Sequence, residues 1–257
     1  MNKTIENISK EITVYTPGVI MAFTFEFFLP IVLSFLWIKY HNGKIKYILI
    51  GIAGFILSVA CESIFILIIQ LFIDKNTNIF YLIAGICPGL FEESGKYLLI
   101  KYIFLKEKHK SISVSYGIGH GGIESILIGF SLLGYLFLKE TLIQKGGLKE
   151  NITLFICIMS ASERLSAILI QISLSVIIFR AIKEKKLRYY FLGIILHDLI
   201  DLLPLFKLKG IINSILLIEL IVGIFSLCLS LYSYYLYNTF EEKSDDKEIL
   251  LNDKKSL

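Results

Sequence analysis

YILIGIAGFILSVACESIFILIIQLFI, residues 47–73, is the stretch whose reading decides the fold. It carries one charged residue, Glu62, and its apolar side chains run on without alternating. A hydrocarbon core of roughly 30 Å is crossed by about 20 helical residues, so this run is long enough to span one. A barrel strand would be shorter and would alternate in polarity. Six further stretches read the same way, at about 17–38, 78–105, 112–138, 152–180, 189–206 and 211–238. The 257-residue chain is 55% hydrophobic with a mean hydropathy of +0.71, more apolar than a soluble domain needs. The expectation is an all-α, polytopic transmembrane helix bundle of about seven spans. Residues 1–240 form one membrane domain, and residues 241–257 form a charged tail. The 189–206 span is short and ends near Pro204, which predicts a tilted or broken helix.

Residues 1–16 are polar and mixed in charge, and the first apolar stretch is too long for a secretory h-region, so no cleavable signal peptide is expected. The net charge of +4 sits mostly in short loops, where it reads as topology and not as nucleic-acid binding. Lys39, Lys44, Lys46, Lys106, Lys108, Lys110, Arg180, Lys183, Lys185, Lys186 and Arg188 share one side. Lys75, Lys139, Lys145, Lys149, Lys207 and Lys209 share the other. The richer side is assigned to the cytoplasm. This predicts a multi-pass protein of the plasma membrane, its N-terminus outside, with loops 39–46, 101–111 and 181–188 and the tail inside. Cys61, Cys87, Cys157 and Cys228 lie within apolar segments without CxxC spacing and read as small buried residues.

Charge at membrane depth is costly, and chains that keep it usually use it. His120 has Glu124 four residues on, and His197 has Asp201 four residues on. Positions i and i+4 share a helix face, so each histidine can point with its acid at one site. Both histidines lie about eight residues, or about 12 Å, from the cytoplasmic end of their spans. The third span runs the other way and brings Glu92, Glu93 and Lys96 to the same layer. Lys96 can pair with either glutamate. Geometry favours Glu92, because Glu four residues before Lys is the better orientation, and that leaves Glu93 as the free, desolvated base. Pro88, one turn earlier, frees the carbonyl of Ala84.

Tyr116–Glu124 reads YGIGHGGIE. Gly117 and Gly121 have the spacing that admits a second helix or an extended substrate backbone, and so many glycines allow local unwinding. Neutral imidazole is a common zinc ligand, and a nearby carboxylate can bind metal or fix the ring tautomer. Glu163 and Arg164 read as an internal salt bridge that organises the bundle, and Arg164 shares a face with Gln171. Glu92, Glu93, Glu124, Glu163 and Asp201 face only Lys96 and Arg164 as intramembrane cations. The surplus negative charge calls for protons or a bound cation, and zinc fits histidine and carboxylate ligands.

The ordered set EExxK, GxGHGGxE, ER and HxxxD resembles the YhfC family of intramembrane metalloproteases. That family is similar in motif logic to the PrsW proteases and to the CAAX-protease and bacteriocin-processing group. The resemblance covers roughly the third to sixth spans. It implies a membrane endopeptidase acting on peptide or membrane-protein substrates in the lipid bilayer. Glu92, Glu93 and His120 would be catalytic, with His120, Glu124, His197 and Asp201 as metal ligands. It implies zinc, although a metal-free glutamate mechanism is also compatible. Gln171 stands where the resemblance leads one to expect a histidine. Two other classes compete: a proton- or divalent-cation-coupled transporter, and a non-catalytic immunity or sensor scaffold.

Overall fold

The structure, a computed structural model, describes residues 13–104, 109–145 and 151–240. Among these the helices are α1 (Thr16–His41), α2 (Ile45–Ile69), α3 (Asn78–Ile103), α4 (Ser111–Phe137), α5 (Lys139–Gln144), α6 (Leu154–Lys183), α7 (Leu187–Asp201), α8 (Leu203–Leu208) and α9 (Ile215–Asn238). No strand occurs among the described residues. One isolated bridge ties Val14 to Ile152, just before α6. Lys106, Lys108, Lys149 and the 241–257 tail lie outside the described residues.

Five of these helices, α1, α2, α4, α6 and α9, are long and apolar enough to cross a membrane. Their outer faces carry large apolar side chains, such as Phe35, Leu57, Leu67 and Leu227, that a soluble protein would bury. The other two expected spans differ for separate reasons. Helix α3 has 26 residues, about 39 Å of rise, but it carries Glu92, Glu93 and Lys96 in its middle. Helix α7 has only 15 residues, about 22 Å, and the chain turns at Leu202 into α8, with Pro204 in its first turn. Of the four cysteines expected to be small buried residues, Cys87 and Cys157 are buried, whereas Cys61 and Cys228 are exposed on outward faces.

Helices α4 and α6 are the axis of the bundle. Helix α4 packs on α1, α2 and α6, and α6 also packs on α3, α7 and α9. The glycines of α4 make this possible. A Cβ at Gly119 would run into the carbonyl oxygen of Ile48 on α2. A Cβ at Gly117 would lie 2.5 Å from the Cα of Ile172 on α6. Two helices therefore approach α4 backbone to backbone on opposite edges. The local unwinding allowed by the glycines does not occur, and α4 is continuous across His120. Tertiary contact on both sides outweighs the weak intrinsic propensity.

Candidate active site

Helix α3 presents two adjacent glutamates to different neighbours. Glu92 and Glu93 are both buried, and Lys96 is wholly shut off from solvent. Lys96 Nζ donates to Glu93 Oε1 at 2.5 Å and to Gln171 Oε1, also at 2.5 Å. This reverses the pairing expected from sequence, in which Glu92 was the partner of Lys96. The i,i+4 preference is worth only about 0.2–0.5 kcal/mol on an isolated helix. Hydrogen bonds to charged groups from neighbouring helices contribute more, about 1.5–3 kcal/mol each.

Those bonds turn Glu92 toward α4. His120 Nε2 lies 2.7 Å from Glu92 Oε2, and Gln171 Nε2 donates to the same oxygen at 3.0 Å. His197 Nδ1 lies 2.8 Å from Glu93 Oε1, while His197 Nε2 lies 3.8 Å from Glu92 Oε2 and 3.3 Å from Asp201 Oδ2. An ionised carboxylate only accepts, so His120 carries its proton on Nε2 and His197 carries one on Nδ1. The lone pair of His120 Nδ1 then faces the interior without a partner. Tyr116 stacks near His120 with ring centroids 5.9 Å apart, and Phe55 meets its edge at 5.2 Å, so the ring is held on both sides.

The structure thus brings Glu92, Glu93, His120, His197 and Asp201 into one buried cluster. Glu124 joins it by a different route from the one expected. It makes no bond to His120. Instead Arg164 donates to Glu124 Oε1 at 2.8 Å, and Gln171 Nε2 donates to Glu124 Oε2 at 3.3 Å. The bond to Glu124 ties α6 to α4, and within α6 Arg164 also donates to Glu163 at 2.6 Å. Gln171 is the residue that sequence reasoning undervalued. It accepts from Lys96 and donates to Glu92 and Glu124, which makes it the hub of the network. The sequence signal was available: Gln171 is polar, at membrane depth, and on the Arg164 face.

A cavity of about 270 Å³ opens beside the cluster, between α6, α7–α8 and α9. His197, Asp201, Gln171 and Glu124 all reach its wall. The His197 imidazole and the Asp201 and Glu124 carboxylates are therefore reached from one side, while Glu92 and His120 lie behind them.

The expected ligands His120, Glu124, His197 and Asp201 do not form one donor set. Among the described residues, no group of three His, Cys, Asp or Glu side chains is placed to hold a metal ion. Arg164 and Gln171 hold Glu124 away from the imidazoles, and the Lys96 ammonium sits on Glu93.

A family model described as YhfC intramembrane metalloprotease matches residues 25–222. The chain is also similar to an uncharacterized membrane protein, YhfC, of Bacillus subtilis (strain 168). The two are 28% identical over 233 residues, which cover 80% of this chain and 90% of that relative.

Proposed function

We propose that this chain, which belongs to the YhfC intramembrane metalloprotease family, hydrolyses peptide bonds of membrane-associated substrates with Glu92 as the water-activating base. The observation that carries this reading is the 2.7 Å contact between Glu92 and His120, in a cluster where Glu93 is already taken by Lys96 and His197. Of the two adjacent acids, Glu92 is the one without a fixed cation.

The family description implies a metal. The side chains as placed do not fit the metal centre expected from sequence, zinc included. The steps proposed here use protein groups alone. A water beside Glu92 gives it a proton while its oxygen attacks the substrate carbonyl carbon. The oxyanion develops beside the Gln171 amide, one N–H of which turns to it from Glu124, with the positive charge of Lys96 behind that amide. A carboxylate and an imidazole nitrogen 3.3 Å apart hold a proton between them, so the His197–Asp201 pair protonates the departing amine as the C–N bond breaks. The proton on Glu92 then returns to that pair, since His197 Nε2 lies 3.8 Å away. One water is consumed, and one acid and one amine are formed.

The test is turnover by the full chain in lipid nanodiscs, on quenched peptides built on membrane-spanning sequences. Glu92→Gln is expected to lower kcat by about 10²–10⁴, the usual contribution of a general base, with a melting temperature near wild type. Wild-type turnover by Glu92→Gln would sink the assignment.

A further inference from the structure

We propose that the cavity between α6, α7–α8 and α9 is the substrate cleft, and that Glu219 on α9 selects a peptide bearing a basic side chain beside the scissile bond. This rests on the peptidase reading above and adds the substrate class. The cavity is lined by Glu163, Arg164 and Gln171 from α6, by His197 and Asp201 from α7, and by Glu219 from α9. At about 270 Å³ it falls just short of the roughly 300–1,000 Å³ of pockets that engulf a whole drug-sized ligand. It suits a peptide unit with one side chain.

Two groups on its wall lack partners, and they are of opposite kind. Glu219 is half-buried on the α9 side and makes no hydrogen bond or ion pair among the described residues. Arg164 is buried, its terminal nitrogens are engaged by Glu124 and Glu163, and its Nε has no acceptor. Leaving a buried donor without an acceptor is costly, as is an unpaired acid at membrane depth. A peptide unit carrying a Lys or Arg side chain answers the acid, since its cation meets Glu219 on the cavity wall, whereas Arg164 Nε is itself shut off from the cavity. The charge balance agrees. Glu124, Glu163, Asp201 and Glu219 face the cavity against Arg164, the exposed Lys207 and the proton held by the His197–Asp201 pair, so one negative charge is left over. Ile170, Ile218 and Val222 supply the apolar surface for the aliphatic stem of such a residue.

The experiment uses the full chain in nanodiscs and three quenched membrane-spanning peptides, identical except for a single Lys, Glu or norleucine. Binding is read by fluorescence anisotropy on the Glu92→Gln protein, and cleavage on the wild type. The Lys peptide is expected to be preferred by about tenfold over norleucine in both. Glu219→Gln should bring that ratio toward one, and Glu219→Lys should turn the preference to the Glu peptide. If Glu219→Lys does not fold, the isosteric Glu219→Gln still decides. Cleavage with no charge preference, or a preference that survives Glu219→Gln, overturns the proposal and leaves the peptidase reading standing. Charge-selective binding that depends on Glu219, without any cleavage, supports the cleft and counts against the peptidase reading.

Discussion

Lys96 Nζ lies 2.5 Å from Glu93 Oε1, one turn back on the same helix, and both side chains are wholly buried. That pair separates the roles of two adjacent glutamates. Glu93 is tied to a fixed cation, and Glu92 is left to face His120. A buried ion pair is costly to break, because removing one member leaves the other charged and unpaired.

The first consequence is for stability. Glu93→Gln should destabilise the chain by about 3–5 kcal/mol, the usual cost of leaving a buried charge alone. Glu93→Gln combined with Lys96→Met should recover much of that loss, since neither charge remains. Thermal unfolding in detergent, followed by tryptophan fluorescence from Trp37, reads both. Equal loss in the single and double variants would contradict the pairing.

Gln171 should behave as a hub. Gln171→Leu removes an acceptor from Lys96 and a donor shared by Glu92 and Glu124. Each buried group left unsatisfied costs about 1–3 kcal/mol. Peptidase turnover should fall with stability, because the Glu92 carboxylate loses one of the two bonds that aim it. A Leu variant as stable as wild type would show that the bonds to Gln171 do not matter.

The glycines of α4 make a sharper structural test. At Gly119 a methyl group meets the carbonyl oxygen of Ile48, which is backbone and cannot turn away. Gly119→Ala is therefore expected to cost about 1–3 kcal/mol, as overpacking does. At Gly134, on the same helix, a Cβ meets nothing within 4 Å. Gly134→Ala should be neutral or stabilising by up to about 1 kcal/mol, the helix-propensity difference. Paired melting curves give the contrast, and similar effects at both positions would refute the close approach of α2 and α4.

Orientation is open to labelling. Lys185 is exposed in the turn between α6 and α7, on the side richer in Lys and Arg. With Cys61, Cys87, Cys157 and Cys228 replaced, Lys185→Cys in intact cells should resist a membrane-impermeant maleimide and react after lysis. Labelling from outside would invert the topology.

Much of this molecule is written in local pattern. The bundle follows from apolar run length, because a membrane forces every backbone polar group into helical bonds. The common layer of Glu92, Glu93, His120, His197 and Asp201 follows from counting residues along spans of known rise. The His197–Asp201 pairing follows from i,i+4 spacing and is present at 3.3 Å. Which acid pairs with which cation did not follow. Spacing ranks Glu92 against Glu93 as partner for Lys96 by a few tenths of a kcal/mol, less than one hydrogen bond from another helix. Only the packing of α4, α6 and α7 around α3 supplied those bonds. It sent Glu92 to His120, Glu93 to Lys96 and His197, and Glu124 to Arg164. The same packing gave Gln171 three partners on two helices; spacing placed it on the Arg164 face, but partners distant in sequence are set only by how the helices pack.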